Sequence, residues 1–470
     1  MARMLPKDGL PAEQVLDEIR ALRAADRPTH GGRLFAYVYD PGLDGLDELA
    51  MAAYALSAHV NGLDPTAFPS LLAMENTLVG AAAELLGGGP DVVGNVTSGG
   101  TESLMLAVKA ARDGAPGIAR PRMVVPVSGH AAFAKAAHYL GVELDLVPVS
   151  PETLRPAAGD VAAAVGPDTV LVACSAPSYA HGVVDPVAEI AAVAAAAGVR
   201  CHVDACFGGW TLPYLRRLGV EVPSFDLSVP GVTSISVDLH KYAYTPKGVS
   251  VLLHRDAELR RPQYFAYAGW PGYSMVNPVI SSTRSGGPIA AAYAVLRHIG
   301  DAGYLALASR TLAAVRELAA AVSAVDGLRL VAPAESTVVC FTARDFDVFV
   351  LADELAERGW HTQPQFVFGE VPASIHLSVT ASVAPRVAEF GPDLAAAAAA
   401  ARAAGPVSLP EISLDRPLPE LLAALGFGAG LPERMAPVNT LLNAAPPHVR
   451  EALLVDFLGH LQRPAPGSLS

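Results

Sequence analysis

Apolar and polar positions alternate along this chain with two periods, and the switches between them outline its organisation. Residues 10–23 put Val15, Ile19 and Leu22 on one face with Pro11 near the start, the pattern of an amphipathic helix. Residues 31–39 read as a short, aromatic extended stretch. Residues 47–58 and 68–86 read as helices, the second stopped by Gly87-Gly88-Gly89-Pro90. From there β-branched runs and helical patterns take turns. Strands are predicted over 91–97, 122–128, 143–149, 169–175 and 200–205, and helices over 101–112, 130–140, 160–165 and 186–197. Two further strands are predicted at 233–237 and 248–253. Strands separated by helices of this length imply parallel βαβ units with right-handed crossovers, so the expected fold class is α/β with a central, mostly parallel sheet flanked by helices.

After Asp301 the pattern changes: a helix over 302–325, strands at 328–331 and 337–342, a helix at 346–358 and a strand at 375–380. These predict a smaller α+β domain. The Ala-rich run 395–404, flanked by Pro392 and Pro406, reads as a surface helix in a Pro-rich tail carrying one or two helices. The expected division is an N-terminal segment 1–60, a large domain 61–300, a small C-terminal domain 301–385 and a helical tail 386–470.

Composition narrows the class. The chain has 470 residues, 51% of them hydrophobic and only 17% charged, which suits a well-buried enzyme with more than one domain. A net charge of −13 without a basic cluster excludes nucleic acid and anionic membrane surfaces as expected partners. The four cysteines, Cys174, Cys201, Cys206 and Cys340, form no C-x-x-C pair and lie among apolar residues. Reduced thiols and a cytoplasmic location are expected. Residues 1–8 do not read as a signal peptide, no apolar run is long enough to span a membrane, and no metal site is read.

Chemistry concentrates at predicted strand ends, where ligands collect in such sheets. Ser98-Gly99-Gly100-Thr101-Glu102-Ser103 joins a strand to a helix: its glycines allow close backbone approach and the helix start offers free N–H donors, a cup for phosphate. His130 begins the next helix and could cap it, pack, or stack on a flat heteroaromatic ring. Asp204 ends an apolar strand before Ala-Cys-Phe-Gly-Gly, which is not helix-like, and a protonated ring nitrogen would satisfy its carboxylate. His240 and Lys241 hang between the strands at 233–237 and 248–253; burial there lowers an ammonium pKa and favours a nucleophilic amine able to form a Schiff base. A phosphate cup, an acidic partner for a pyridinium nitrogen and a lysine for an aldehyde are together the contacts that pyridoxal 5'-phosphate needs.

Four stretches carry a resemblance. They are Asn95-Val-Thr-Ser-Gly-Gly-Thr-Glu-Ser-Leu, Val127-Ser-Gly-His-Ala-Ala-Phe-Ala-Lys-Ala-Ala-His-Tyr, His202-Val-Asp-Ala-Cys-Phe-Gly-Gly and Pro230-Gly-Val-Thr-Ser-Ile-Ser-Val-Asp-Leu-His-Lys-Tyr. The chain resembles the fold-type I pyridoxal phosphate enzymes, in the group II decarboxylase branch, and within it the sphingosine-1-phosphate lyase-like enzymes. The resemblance implies that Lys241 carries the cofactor as a Schiff base, that Asp204 pairs with its ring nitrogen and that His130 stacks on the ring. It implies that Gly99, Gly100, Thr101 and His240 hold the phosphate, helped by the Ser282-Thr283-Arg284 turn of a second subunit. Tyr39, Asn61, Asp64, Tyr179 and Lys247 would lie towards the substrate, with Tyr39, Tyr179 and Lys247 also candidates for the chemistry. A homodimer with shared active sites follows from the same resemblance.

Two departures stand out. Eukaryotic members carry an N-terminal membrane helix that does not appear here, so a soluble enzyme is expected. Asp64, in Asn61-Gly-Leu-Asp-Pro-Thr-Ala-Phe-Pro, stands where the family usually has a histidine near the substrate phosphate. Two like charges about 5 Å apart at an effective dielectric near 20 repel by roughly 3 kcal/mol. An ionised, inward-facing Asp64 would disfavour a phosphorylated substrate; an outward-facing one would not matter. The expected activity is cleavage of the Cα–Cβ bond of a β-hydroxy amine or β-hydroxy amino acid by retro-aldol, with release of an aldehyde. The competing expectations are L-amino acid decarboxylation and cofactor binding without turnover.

Overall fold

The computed structural model describes residues 5–409 and 434–462. The remainder of the expected tail, 410–433 and 463–470, lies outside the described residues. The seven strands of the large domain are β1 (Val93–Thr97), β2 (Arg122–Pro126), β3 (Glu143–Val147), β4 (Thr169–Ser175), β5 (Arg200–Asp204), β6 (Ser234–Asp238) and β7 (Ser250–His254). They form one sheet in the order β1-β7-β6-β5-β4-β2-β3. Every pairing is parallel except those of β7, which runs against both β1 and β6. All residues of β4, β6 and β7 are buried, as their unbroken apolar character requires in a sheet covered on both faces.

The reversed strand decides where the chemistry meets. Ser250, the first residue of β7, is in register with Thr97 at the end of β1 and with Asp238 at the end of β6. The Gly-Gly turn after β1 and the lysine turn after β6 are thereby held on either side of one residue. Next along, Asp204 ends β5 in register with Ser236.

A two-stranded hairpin, β8 (Phe265–Tyr267) with β9 (Met275–Asn277), and a short helix Leu212–Arg217 were not anticipated from the pattern. The expected helix over 302–325 is the second half of a longer run, Gly286–Ala324, broken at Gly300 where φ is +64°. Its first half opens with Gly-Gly-Pro, which reads as a turn. The small domain is an antiparallel sheet of β10 (Leu328–Leu330), β11 (Val338–Ala343), β12 (Gln363–Gln365) and β13 (Ser374–Ser378), in the order β10-β11-β13-β12. Its core is built round Trp360, stacked against Phe35 at 5.9 Å and edge-on to Phe390 at 5.1 Å. Phe390 belongs to the Ala-rich helix Val387–Ala404, which also buries Leu394, Ala397, Ala398 and Ala401. That helix is a wall of the small-domain core rather than a surface helix, because alanine lets it pack closely. The stretch expected to be extended at 31–39 contributes only one bridge, Leu34 with His361, and Tyr37 sits at a left-handed φ of +68°. The N-terminal helix Ala12–Arg23 forms as predicted but buries no residue.

One buried ion pair fastens two loops to the sheet edge. Glu75, on the helix Pro69–Leu85, accepts the Val96 N–H at 2.9 Å and pairs with Arg284. The Arg284 carbonyl in turn accepts from the Gly62 N–H at 3.0 Å. Glu75→Ala would leave a largely buried guanidinium uncompensated and is expected to cost about 3–5 kcal/mol in urea denaturation. An unchanged midpoint would show that the pair does not hold these loops.

Candidate active site

The turn after β1 is shaped by what surrounds it. A Cβ on Gly100 would lie 2.9 Å from both an Asp238 carboxylate oxygen and the Cys206 sulfur, so only glycine lets the backbone pass. The helix Gly100–Asp113 starts there with no side-chain cap. Its first N–H groups have no partner within the helix and face ligand or solvent. Glu102 braces the turn, one carboxylate oxygen accepting from Ser98 N–H at 2.6 Å and the other from Ile280 N–H at 2.8 Å.

Lys241 lies in the turn after β6, its Nζ 3.0 Å from Asp238 Oδ2. Burial works to lower its pKa, as expected from the sequence, but the Asp238 carboxylate overrides this and the ammonium form is held well above the ordinary lysine range. Asp238 shows the counterpart: burial pushes its carboxyl up, and Lys241 and His240 together pull it below the usual value. The resting pair is therefore ammonium and carboxylate, which corrects the picture of a lysine neutralised by burial alone. The His240 pKa is lowered mainly by burial, against the pull of Asp238, and its Nδ1 accepts the Val249 N–H at 3.2 Å. The turn is rigid beyond these contacts. Tyr242 O–H donates to the Val379 carbonyl at 3.0 Å, Tyr304 O–H to the Ala243 carbonyl at 2.8 Å, and Tyr244 is held at φ +58°.

A cavity of about 460 Å³ opens at these strand ends. Of the residues anticipated from the sequence, Gly99, Gly100, Thr101, His130, Tyr179, Asp204, His240, Lys241 and Lys247 line it. Tyr39, also anticipated, is not among the lining residues; it packs next to them, its ring centre 5.1 Å from Lys247 Nζ. His130 precedes its helix rather than starting it, Nδ1 accepting the Ala132 N–H at 3.1 Å. Tyr39 and Tyr179 both keep their protons, their pKa values raised chiefly by burial. Lys247 goes the other way from Lys241: burial, then the charge of Lys241, lower its pKa, and among the described residues no carboxylate pairs with it.

Asn61, Asp64, Ser282 and Thr283 do not line this cavity. They gather on a neighbouring patch where Thr283 Oγ1 donates to Asn61 Oδ1 at 3.2 Å. Asp64 is exposed, its Oδ1 accepting the Thr66 hydroxyl at 2.6 Å and the Thr66 N–H at 2.8 Å, contacts that lower its pKa. It is ionised and faces away from the cavity of its own chain. Arg284 is committed to Glu75 and to the Val96 carbonyl at 3.2 Å, so it is not free to hold a phosphate in this chain.

Three contributors escaped the sequence reading. Asp238 ends an apolar strand three residues before Lys241, the same signal that drew attention to Asp204. Phe207 lies 5.6 Å below Lys241 Nζ, with Tyr39, Tyr179 and Tyr242 edge-on to it. His376 stacks on Tyr179 at 4.6 Å from the small domain, a contact no local pattern foretells.

The carboxylate of Asp204 tests what the cavity accepts. It is buried at the cavity wall, accepts one backbone N–H from Cys206 at 3.0 Å, and has no cationic partner among the described residues. A protonated ring nitrogen would complete it, and the free helix N–H groups opposite suit a phosphate. A family model described as pyridoxal-dependent decarboxylase conserved domain matches residues 4–344. The chain belongs to the pyridoxal-dependent, group II decarboxylase family.

A second model, for a C-terminal domain of pyridoxal-dependent enzymes, matches residues 392–460. The sphingosine-1-phosphate lyase of Arabidopsis thaliana is 37% identical over 419 residues, covering 86% of this chain and 75% of the relative. Sphingosine-1-phosphate lyase 1 of Rattus norvegicus is 36% identical over 382 residues, covering 80% of this chain and 66% of the relative. A solved structure of a Burkholderia pseudomallei sphingosine-1-phosphate lyase superposes with a TM-score of 0.81 at 38% identity, covering 86% of this chain and 94% of that one. Lactobacillus brevis glutamate decarboxylase, at 21% identity and a TM-score of 0.76, shares the fold. The fold is fold-type I, the chain is a lyase-like member of the family, and its cofactor is pyridoxal 5'-phosphate.

Asp238→Asn removes the charge that keeps Lys241 protonated and leaves burial, which acts in the opposite direction. The pH midpoint for capture of pyridoxal phosphate by Lys241, read as borohydride-fixed label on the apoprotein, is expected to fall by at least about one unit. A midpoint that does not move would assign control of Lys241 to another group.

Proposed function

We propose that this chain is a carbon–carbon lyase that opens the Cα–Cβ bond of a β-hydroxy amine or β-hydroxy amino acid by retro-aldol and releases an aldehyde. The observation that carries the reading is Lys247, an amine inside the cavity with a lowered pKa and no carboxylate partner among the described residues. Retro-aldol cleavage needs a base for the substrate's hydroxyl proton, and an amine shifted towards neutrality is suited to take it. Bound pyridoxal phosphate would supply an electron sink for the bond broken at the substrate's Cα. Lys241 would hold it covalently, with Asp204 at its ring nitrogen, His130 against its face, and Gly99, Gly100, Thr101 and His240 at its phosphate. Tyr179, protonated and lining the cavity, would donate a hydrogen bond to the substrate, with Tyr39 packed next to Lys247.

The patch bearing Asn61, Asp64, Ser282 and Thr283 supports a homodimer in which each copy lends this patch to its partner's cavity. The lack of any helix among the described residues long and apolar enough to cross a membrane is compatible with a cytoplasmic enzyme. In such a homodimer Asp64 would come near the partner's substrate, and there its ionised carboxylate, which would repel a phosphorylated substrate, favours a second reading, decarboxylation of an L-amino acid.

Incubation of the holoenzyme with sphingosine 1-phosphate, phenylserine and a set of L-amino acids, with aldehyde and carbon dioxide measured together, separates the readings. Aldehyde without carbon dioxide is expected; carbon dioxide alone would replace the lyase with a decarboxylase. Lys247→Met is expected to lower kcat for aldehyde release by about a hundredfold while the cofactor stays bound; a variant as fast as the parent would remove Lys247 from the chemistry. Asp64→His is expected to raise kcat/KM for sphingosine 1-phosphate relative to an unphosphorylated substrate by about tenfold or more, and an unchanged ratio would rule out the charge effect.

A further inference from the structure

The Tyr179–Ala180 turn belongs to the large domain and is closed there by Ser178 N–H to the Val183 carbonyl at 2.8 Å, yet its one outward carbonyl and its tyrosine are held from the small domain. The Ala180 carbonyl accepts two hydrogen bonds, from Gln365 Nε2 on β12 at 2.8 Å and from the His376 ring on β13 at 3.3 Å. A carbonyl can only accept, so His376 Nδ1 carries the proton, and its Nε2 is left to accept the Ser378 hydroxyl at 2.8 Å. Both ring nitrogens are thus used and the imidazole plane is fixed. That plane lies 4.6 Å from the Tyr179 ring at an interplanar angle of 23°. Burial pushes the His376 pKa down to about 4, so the ring is neutral near pH 7 and contributes direction rather than charge.

We propose that His376 and Gln365 are positioning residues that together aim Tyr179 into the cavity, so that the seating of the small domain on the large one governs the substrate-facing tyrosine. The proposal rests on the reading of Tyr179 as a substrate contact. The two donors on one carbonyl back each other up. Either alone still holds the Ala180 carbonyl, and loss of both leaves the turn only to its own bonds, Ser178 N–H to the Val183 carbonyl at 2.8 Å and Gly182 N–H to the Ser178 carbonyl at 2.9 Å, which do not fix Tyr179. The stacked imidazole supplies what a hydrogen bond does not, a flat wall that fixes the tilt of the phenol.

The test uses the full-length holoenzyme with fluorotyrosine incorporated at position 179, read by fluorine NMR, alongside kinetics with phenylserine. The parent is expected to give one narrow resonance. His376→Phe, which keeps a flat ring but loses both hydrogen bonds, should broaden it, and His376→Phe combined with Gln365→Leu should split or shift it. His376→Asn, which keeps an N–H donor, should move it less than the double variant does. In kinetics, His376→Phe is expected to lower kcat about tenfold and the double variant about a hundredfold, with KM changed less than about twofold. In a Tyr179→Phe background the same substitutions should change kcat by less than about twofold, because they act through the tyrosine.

A resonance unaltered in the folded double variant would overturn the proposal. So would losses that multiply in full with that of Tyr179→Phe. If Tyr179→Phe leaves phenylserine turnover intact, the substrate role of Tyr179 falls instead, and the resonance still decides whether the two residues aim it.

Discussion

The contact between Asp238 and Lys241 is the constraint to which the rest of the site is fitted. At 3.0 Å and an effective dielectric near 20, opposite unit charges attract by about 5 kcal/mol. That is enough to offset the several kcal/mol that burial costs an ammonium ion. The pair therefore survives in a nearly dry turn, and the lysine waits protonated with its charge balanced. Gly100 must be glycine because the Asp238 carboxylate fills the space where a Cβ would be. The phosphate cup and the lysine are thus adjacent for a steric reason as well as a topological one.

The topological reason is β7. In a wholly parallel sheet, a strand between β1 and β6 would start at the far end and need a crossover to reach it. Running β7 antiparallel lets it follow β6 through the single loop 239–249, which carries His240, Lys241 and Lys247 to the cavity. Two tyrosines fix this loop: Tyr242 bonds to Val379, and Tyr304 reaches from the long helix to Ala243. The left-handed Tyr244 is the local cost of so abrupt a reversal.

What could be read from the chain follows this division between local and distant. The βαβ alternation, the Gly-Gly cup, Asp204 and Lys241 were legible because each depends on a few neighbouring residues: a β-branched run, a glycine pair, a polar residue ending an apolar strand. The protonation of Lys241 was not legible in the same way. Burial could be inferred from the flanking strands, but the sign of the shift depended on whether Asp238 turned inward. The helix before Gly300 was hidden by its Gly-Gly-Pro opening. His376 lies some two hundred residues from Tyr179, and only the docking of two domains brings their rings together. The Ala-rich helix misleads for a related reason. Small side chains look like a solvent-facing filler in sequence, yet they are what lets a helix lie close against Trp360 and Phe390.

Lys241 and Lys247 sit six positions apart in one loop, line one cavity, and are driven in opposite directions. Lys241 has a carboxylate in contact and is raised; Lys247 has none, feels the charge of its neighbour and is lowered. Groups of one chemical type whose environments separate their pKa values in this manner are suited to different roles. Lys241, held by Asp238, can be kept in place for the cofactor aldehyde, and Lys247, lowered by burial and then by the charge of Lys241, gives up its proton more readily than an ordinary lysine.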